Sequence, residues 1–263
     1  MRNSHIFPDF FIRSLQEYVP KGNNRTLEPH SIAMSGRPGF EGGLKQRGYW
    51  EKRLGIKETL LCDACERHLN RYETYLREHF YGQEPGRLNK RELGVRIQGA
   101  HPTAKGLIEV REMVFDTKFF KLFVLSLLWR CSVASGEFFK LVSLGERHEN
   151  RLANALLSDD PGGEESYPFR MFDLRDGDSG LVDFFQQPSV TRHADGCRVC
   201  QIVIGGFLFQ IHLVAEGHRL GIQLMELCLR DDGTFRIPVV HAGQFLANWA
   251  RILGITKDSP DVV

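Results

Sequence analysis

The amino-acid sequence predicts an α+β fold, because its apolar residues follow a helical period in the middle of the chain and a strand period near its end. The chain has 263 residues, of which 42% are hydrophobic and 25% are charged, which is enough apolar material for a sizeable core. We expect an N-terminal unit at residues 1–110, packed on a C-terminal α+β domain with an antiparallel sheet at residues 111–263.

Three helices are predicted before the strands. Leu69, Tyr72 and Leu76 recur at helical spacing after a pair of cysteines, which predicts an amphipathic helix. Residues 119–129 are almost continuously apolar and predict a buried helix, which is too short to cross a membrane because a spanning helix needs about twenty residues. Residues 145–157 predict a third helix, because a turn rich in Asp, Pro and Gly follows them.

Strands are predicted in the last hundred residues, where β-branched and aromatic side chains dominate and turn residues separate the runs. The expected strands cover residues 199–204, 207–213, 221–227 and 235–240. A closing helix is expected after them at residues 244–253. Glycines at short intervals in residues 83–110 predict a connection between two units, with a boundary near residues 105–115.

Charge and motifs exclude several classes of protein. The net charge is +1, but residues 1–110 hold 18 basic and 13 acidic side chains, so the first unit is the better candidate to bind phosphate. The sequence has no P-loop and no Gly-x-Ser-x-Gly motif, which argues against an NTPase and a triad hydrolase. Because the first residues do not form a secretory signal, we expect a cytoplasmic protein with reduced cysteines and no membrane partner.

Cys62 and Cys65 form a Cys-x-x-Cys pair at the start of the first predicted helix. Two thiolates at the positive end of a helix suit a structural Zn²⁺ ion, which needs four ligands in all. His68, three residues after the second cysteine, is within reach of such an ion. His30 and His79 are further candidates, whose simpler interpretation is a solvated or capping side chain.

A second Cys-x-x-Cys pair, Cys197 and Cys200, leads into a predicted strand. One interpretation joins both pairs in a single four-thiolate zinc site. The other interpretation is that the second pair supplies small apolar side chains to the strand.

Two short stretches carry a family resemblance. Ser-His-Ile-Phe-Pro at residues 4–8 and Leu-Cys-Asp-Ala-Cys-Glu at residues 61–66 resemble the two halves of the HNH-type, treble-clef or ββα-metal family, whose signature is Asp-His-Ile-x-Pro and then Leu-Cys-x-x-Cys-Asn. The resemblance implies a treble-clef-like zinc unit. It also implies that His5 is the general base that activates water, and that Glu66 holds a catalytic Mg²⁺ or Mn²⁺ ion at the scissile phosphate of DNA.

The chain departs from the family pattern in three respects. Ser4 occupies the position of the Asp, the interval between His5 and Cys62 is long for a compact ββα unit, and the first Cys-x-x-Cys half is absent. A truncated start and a native loss are both open explanations of the absent half. The resemblance covers about residues 1–82.

Two classes of function follow from these observations. The first is a DNA-binding protein or metal-dependent HNH-like endonuclease, and bacterial and phage proteins with a similar front end indicate a microbial or mobile-element origin. The alternative is a non-catalytic zinc-binding protein that binds other proteins as a scaffold. A short distance between His5 and Glu66 favours the enzyme.

Overall fold

The computed structural model describes residues 2–8, 57–81, 96–103, 106–174, 186–192, 196–214 and 220–240. Within these residues the chain is α+β, as expected, and its strands form antiparallel sheets. In chain order the elements are β1 (Arg2–His5), β2 (Lys57–Leu61), α1 (Asp63–Tyr81), β3 (Arg96–Thr103), β4 (Gly106–Val114), α2 (Thr117–Val133), a 3-10 turn (Glu137–Phe139), α3 (Glu146–Ser158), β5 (Phe169–Asp173), β6 (Gln186–Arg192), β7 (Arg198–Ile204), β8 (Phe207–Leu213), α4 (Ile222–Met225) and β9 (Thr234–Pro238).

The strands pair in three groups among the described residues. β1 pairs with β2, β4 lies between β3 and β9, and the largest sheet has the order β5-β8-β7-β6. Two glycines with positive φ, Gly205 at 59° and Gly206 at 79°, form the two-residue turn between β7 and β8. A hairpin turn of this kind requires positive φ at both positions, which glycine adopts without steric cost.

The helix α2 packs against both α1 and α3. Asp116 caps its N-terminus, because its carboxylate accepts a hydrogen bond of 3.0 Å from the backbone N–H of Phe119. Residues 120–128 of this helix are all buried, because α1 and α3 pack against it. A helix that is covered on every side buries its polar residues too, and here these are Lys121, Ser126 and Arg130.

Besides one small separate cluster, a single large hydrophobic core runs through the described residues. It includes Ile6 and Phe7 directly after β1, Leu69 and Tyr72 of α1, and Phe235 of β9. Residue 110, where we expected the boundary between two units, lies inside β4 and is buried. The large core includes residues from both sides of that position.

Three of the predicted helices are confirmed as α1, α2 and α3, and three of the predicted strands are confirmed as β7, β8 and β9. The strand predicted at residues 221–227 is wrong, because residues 222–225 form the short helix α4. The carbonyl oxygen of Gly221 accepts hydrogen bonds from Leu224 and Met225, at 3.0 and 3.1 Å, and so closes a helical turn. The connection predicted at residues 83–110 is also partly wrong, because β3 and most of β4 occupy its second half.

Several expectations fall on other parts of the chain. The loops predicted at residues 9–56 and the closing helix predicted at residues 244–253 lie outside the described residues. None of the helices in the described ranges combines the length and the hydropathy that crossing a bilayer requires.

Candidate functional site

The strand pair and the helix at the start of the chain bring together the two stretches that carry the family resemblance. In the antiparallel pair of β1 and β2, His5 lies opposite Lys57 and Ser4 lies opposite Glu58. β2 then passes through Cys62 directly into α1, which packs against both strands. The order of elements is strand, strand, helix, with His5 at the end of the first strand and Glu66 in the first turn of the helix.

The cysteine pair forms the N-terminal cap of α1. The Sγ atom of Cys62 accepts a hydrogen bond of 3.4 Å from the backbone N–H of Cys65. This N–H lowers the pKa of the Cys62 thiol, whereas a side-chain hydrogen bond with Cys62 raises the pKa of the Cys65 thiol. Cys62 is exposed. It is therefore the thiol of the pair that ionises more readily, as a metal-binding thiolate must.

The two cysteine pairs do not form a common zinc site. Within the part of the chain that the structure describes, no three His, Cys, Asp or Glu side chains come together as metal ligands. Cys200 is fully buried in β7, and Cys197 precedes this strand with its Sγ atom 4.0 Å from Nδ1 of His212. The four-thiolate hypothesis is therefore wrong, because the second pair belongs to the core of a sheet. His30 lies outside the described residues.

Glu66 and His5 each hold a polar atom away from solvent. The Oε2 atom of Glu66 is buried, and no described residue donates a hydrogen bond to it. A buried carboxylate oxygen without a donor is unfavourable unless a cation compensates it. The Nε2 atom of His5 is also buried.

His68 lies in a polar cluster at the junction of α1 and α3. Its Nδ1 atom accepts a hydrogen bond of 2.9 Å from Arg71, so Nε2 carries the proton of the neutral ring and donates to the carbonyl oxygen of Leu156 at 2.9 Å. Nε2 is also 3.0 Å from the carboxylate of Asp159, to which the hydroxyl of Tyr72 donates. A zinc ion bound by His68 would have to replace these contacts.

Sequence reasoning missed the contacts through which a buried arginine of α2 links β1 to α1. The guanidinium of Arg130 in α2 lies 2.7 Å from the carboxylate of Glu73 and donates a hydrogen bond of 2.7 Å to the carbonyl oxygen of His5. The signal was present in the sequence, because Arg130 stands at the end of an apolar run. A charged residue there is either paired or exposed.

Comparison with known proteins adds no family to this geometry. No protein-family model, no curated protein and no solved structure matches the chain.

Proposed function

We propose that the chain is an HNH-like, metal-dependent endonuclease that acts on DNA, with its active site on the unit of β1, β2 and α1. In this proposal His5 is the general base, Glu66 binds Mg²⁺ or Mn²⁺, and Cys62 and Cys65 are two ligands of a structural Zn²⁺ ion in a treble-clef-like unit. The proposal rests mainly on the buried Oε2 atom of Glu66, to which none of the described residues donates a hydrogen bond.

The arrangement of the unit supports this assignment. The strand, strand, helix order is the one that the ββα-metal resemblance implies, and it leads from His5 through β2 to the helix of Glu66. A carboxylate oxygen is a hard ligand, which Mg²⁺ and Mn²⁺ prefer over sulfur or nitrogen. The excess of basic side chains in residues 1–110 supports a polyanionic substrate.

The chemistry assigns a separate task to each side chain. The imidazole of His5, in its neutral form, accepts the proton of the water that attacks the phosphorus atom. The carboxylate of Glu66 holds the cation at the scissile phosphate. When bound there, the divalent ion stabilises the negative charge that develops on the phosphate oxygens. Cys62 and Cys65 act on structure alone, because thiolates at a helix start tie the helix to its zinc.

One observation favours the alternative, a non-catalytic zinc-binding scaffold. Ser4 stands where the family pattern has an Asp, so Glu66 is the one carboxylate at a metal-ligand position of the motif in this chain. Mg²⁺ sites that use one or two carboxylates complete their coordination with water and with substrate phosphate oxygens. The enzyme therefore binds its metal most strongly when DNA is present, whereas the scaffold has no such dependence.

Nicking of a supercoiled plasmid tests the proposal. The wild-type chain is incubated with plasmid and Mg²⁺ or Mn²⁺, and the relaxed product is quantified against a reaction with a chelator. We expect His5→Ala to lower the rate by about a hundred- to ten-thousand-fold, the usual cost of losing a general base. Glu66→Gln keeps the shape of the side chain and removes its charge, so it should raise the metal concentration for half-maximal rate by about tenfold or more.

His79→Gln is the matched control for the histidine variant. His79 lies on α1, and its Nδ1 atom bonds to the carbonyl oxygen of Tyr75 on the same helix at 2.8 Å. This variant should cleave at the wild-type rate. If the wild-type chain shows no metal-dependent cleavage, the proposal is overturned in favour of the scaffold. A His5→Ala variant that cleaves as fast as wild type would overturn the role of His5 as the general base.

A further inference from the structure

The buried side chain of Arg130 connects the strand of the candidate base with the helix of the candidate metal ligand. Its Nη1 atom donates a hydrogen bond of 2.7 Å to the carbonyl oxygen of His5 and lies 2.7 Å from Oε1 of Glu73. The side chain of Arg130 is 1% exposed and that of Glu73 is 16% exposed. Charge-assisted contacts that are shielded from water are strong and well directed.

The guanidinium is held in place from its own helix. Nε donates to the carbonyl oxygen of Ser126 at 3.3 Å, and Nη2 donates to the hydroxyl oxygen of Ser126 at 3.2 Å. The hydroxyl of Ser126 in turn donates to the carbonyl oxygen of Phe123 at 2.8 Å. Contacts within α2 therefore orient the side chain of Arg130 independently of its contacts with β1 and α1.

Glu73, the partner of Arg130, lies on the same face of α1 as Glu66. The two residues are seven apart, close to two turns, so they lie on one face of the helix with about 10.5 Å between them along its axis. By bonding to Glu73 and to the backbone of His5 at once, Arg130 sets the position of the end of β1 against that face of α1.

We infer that Arg130 is a positioning residue of the proposed endonuclease, which holds His5 at a fixed distance from the face of α1 that carries Glu66. The inference rests on the proposed function. It assigns a role in cleavage to α2, a helix of the C-terminal part of the chain that contains none of the resemblance motifs.

Arg130→Lys is the informative variant. Lysine keeps the positive charge but is a point donor, so it can pair with Glu73 and no longer spans the carbonyl oxygen of His5 in the same geometry. We expect kcat to fall by about ten- to a hundred-fold, because displacing a reacting group by about 1 Å has costs of that size. KM for DNA should stay within about twofold, because the variant changes no DNA-contacting group.

Two further variants separate positioning from general damage to the fold. Glu73→Gln breaks the α1 side of the contact while Arg130 stays in place, and it should show the same fall in kcat at constant KM. Lys121→Met is the matched control, since Lys121 is a buried cation of the same helix that donates to Gly162 and Gly163, away from β1 and α1. Its kcat should equal that of wild type.

The experiment measures kcat and KM for plasmid nicking by the full chain, with the folded fraction of each variant determined by circular dichroism. A fall in kcat for Arg130→Lys and Glu73→Gln, with Lys121→Met unchanged, supports the inference. If wild type cleaves and both variants match its kcat, or if Lys121→Met falls equally, the positioning role is overturned while the endonuclease stands. If wild type shows no metal-dependent cleavage, the proposed function and the inference fall together.

Discussion

The backbone N–H of Gly136 donates a hydrogen bond of 2.7 Å to Oε1 of Glu58. The other carboxylate oxygen of Glu58 accepts from the backbone N–H and the hydroxyl of Ser135, at 2.8 and 3.0 Å. One carboxylate of β2 thus satisfies three donors that follow α2. This contact ties the candidate site to the segment that follows α2.

Glu58→Gln should therefore destabilise the fold by about 1–3 kcal/mol, the range for losing hydrogen bonds to a charged acceptor. The amide keeps the size of the side chain but turns one acceptor into a donor that faces other donors. Urea denaturation measures the effect. Glu78→Gln is the control, because Glu78 lies 3.6 Å from Arg77 with both side chains more than half exposed. It should change stability by less than about 0.5 kcal/mol, and equal losses in the two variants would contradict the role of Glu58.

The elements with strong periodicity were predictable from the sequence. Leu69, Tyr72 and Leu76 fall on the buried face of α1, and the mostly buried apolar runs of β7 and β8 lie in the core sheet. β3 and β4 were not predicted, because their glycines and a proline resemble a loop locally. β4 also pairs with β9, which lies more than a hundred residues further along the chain.

The candidate site was predictable only as far as local motifs reach. His5, Cys62 and Glu66 stand in short stretches with recognisable spacing. The partner of His5, Arg130, is 125 residues away in the sequence. No local pattern encodes such a contact, because it depends on how α2 packs against β1.

Zinc content is predicted to be at most one ion per chain, with Cys62 and Cys65 among its ligands. Elemental analysis of protein that is kept reduced and purified without chelators measures this. Cys62→Ser should lose the ion, because a hydroxyl is not a zinc ligand at neutral pH. Cys228→Ala should retain it, since Cys228 is buried at 1% exposure in another part of the fold. Zinc-free wild-type protein would rule out the site.

Because of Lys121, the free energy of unfolding should rise with pH between about pH 8 and 10.5. Burial lowers the pKa of this lysine from 10.5 to about 8, against the opposing effect of Asp231 and Glu164. Below pH 8 the native state bears the full cost of the buried charge. Above it the native state loses the proton while the unfolded chain keeps it, so stability rises by up to about 3 kcal/mol by pH 10.5.

Chemical denaturation of wild type and Lys121→Met between pH 7 and 9.5 isolates this contribution. Groups that do not interact with Lys121 are present in both proteins, so their contributions cancel in the difference. The difference in unfolding free energy should shift in favour of wild type as the pH rises. A difference that is independent of pH would show that Lys121 stays charged in the native state.

Asp159 is predicted to stabilise the junction of α1 and α3 by its charge. The hydrogen bond from the hydroxyl of Tyr72, and then the one from Arg71, lower the pKa of this carboxylate. Its contribution is therefore complete above the ordinary pKa of 3.8 and is lost as the pH falls through the lowered value. At pH 7, Asp159→Asn should cost about 1 kcal/mol.

The asparagine variant is well matched because Asp159 has a φ of 56°, a left-handed conformation that Asn also tolerates. Thermal unfolding at pH 7 and at pH 3 measures the difference. The difference in unfolding temperature between wild type and variant should be smaller at pH 3 than at pH 7. A difference of the same size at both pH values would show that shape, and not charge, decides the contribution.

Anomalous diffraction from crystals of the chain grown with Mn²⁺ tests most directly the proposal that Glu66 holds a divalent cation near His5. We expect one anomalous peak about 2.0–2.6 Å from Oε2 of Glu66, the range for hard cations on carboxylate oxygens. The same peak should be absent from crystals of Glu66→Gln. A wild-type crystal whose Mn²⁺ lies elsewhere, with Oε2 of Glu66 bonded only to protein or water, would contradict it.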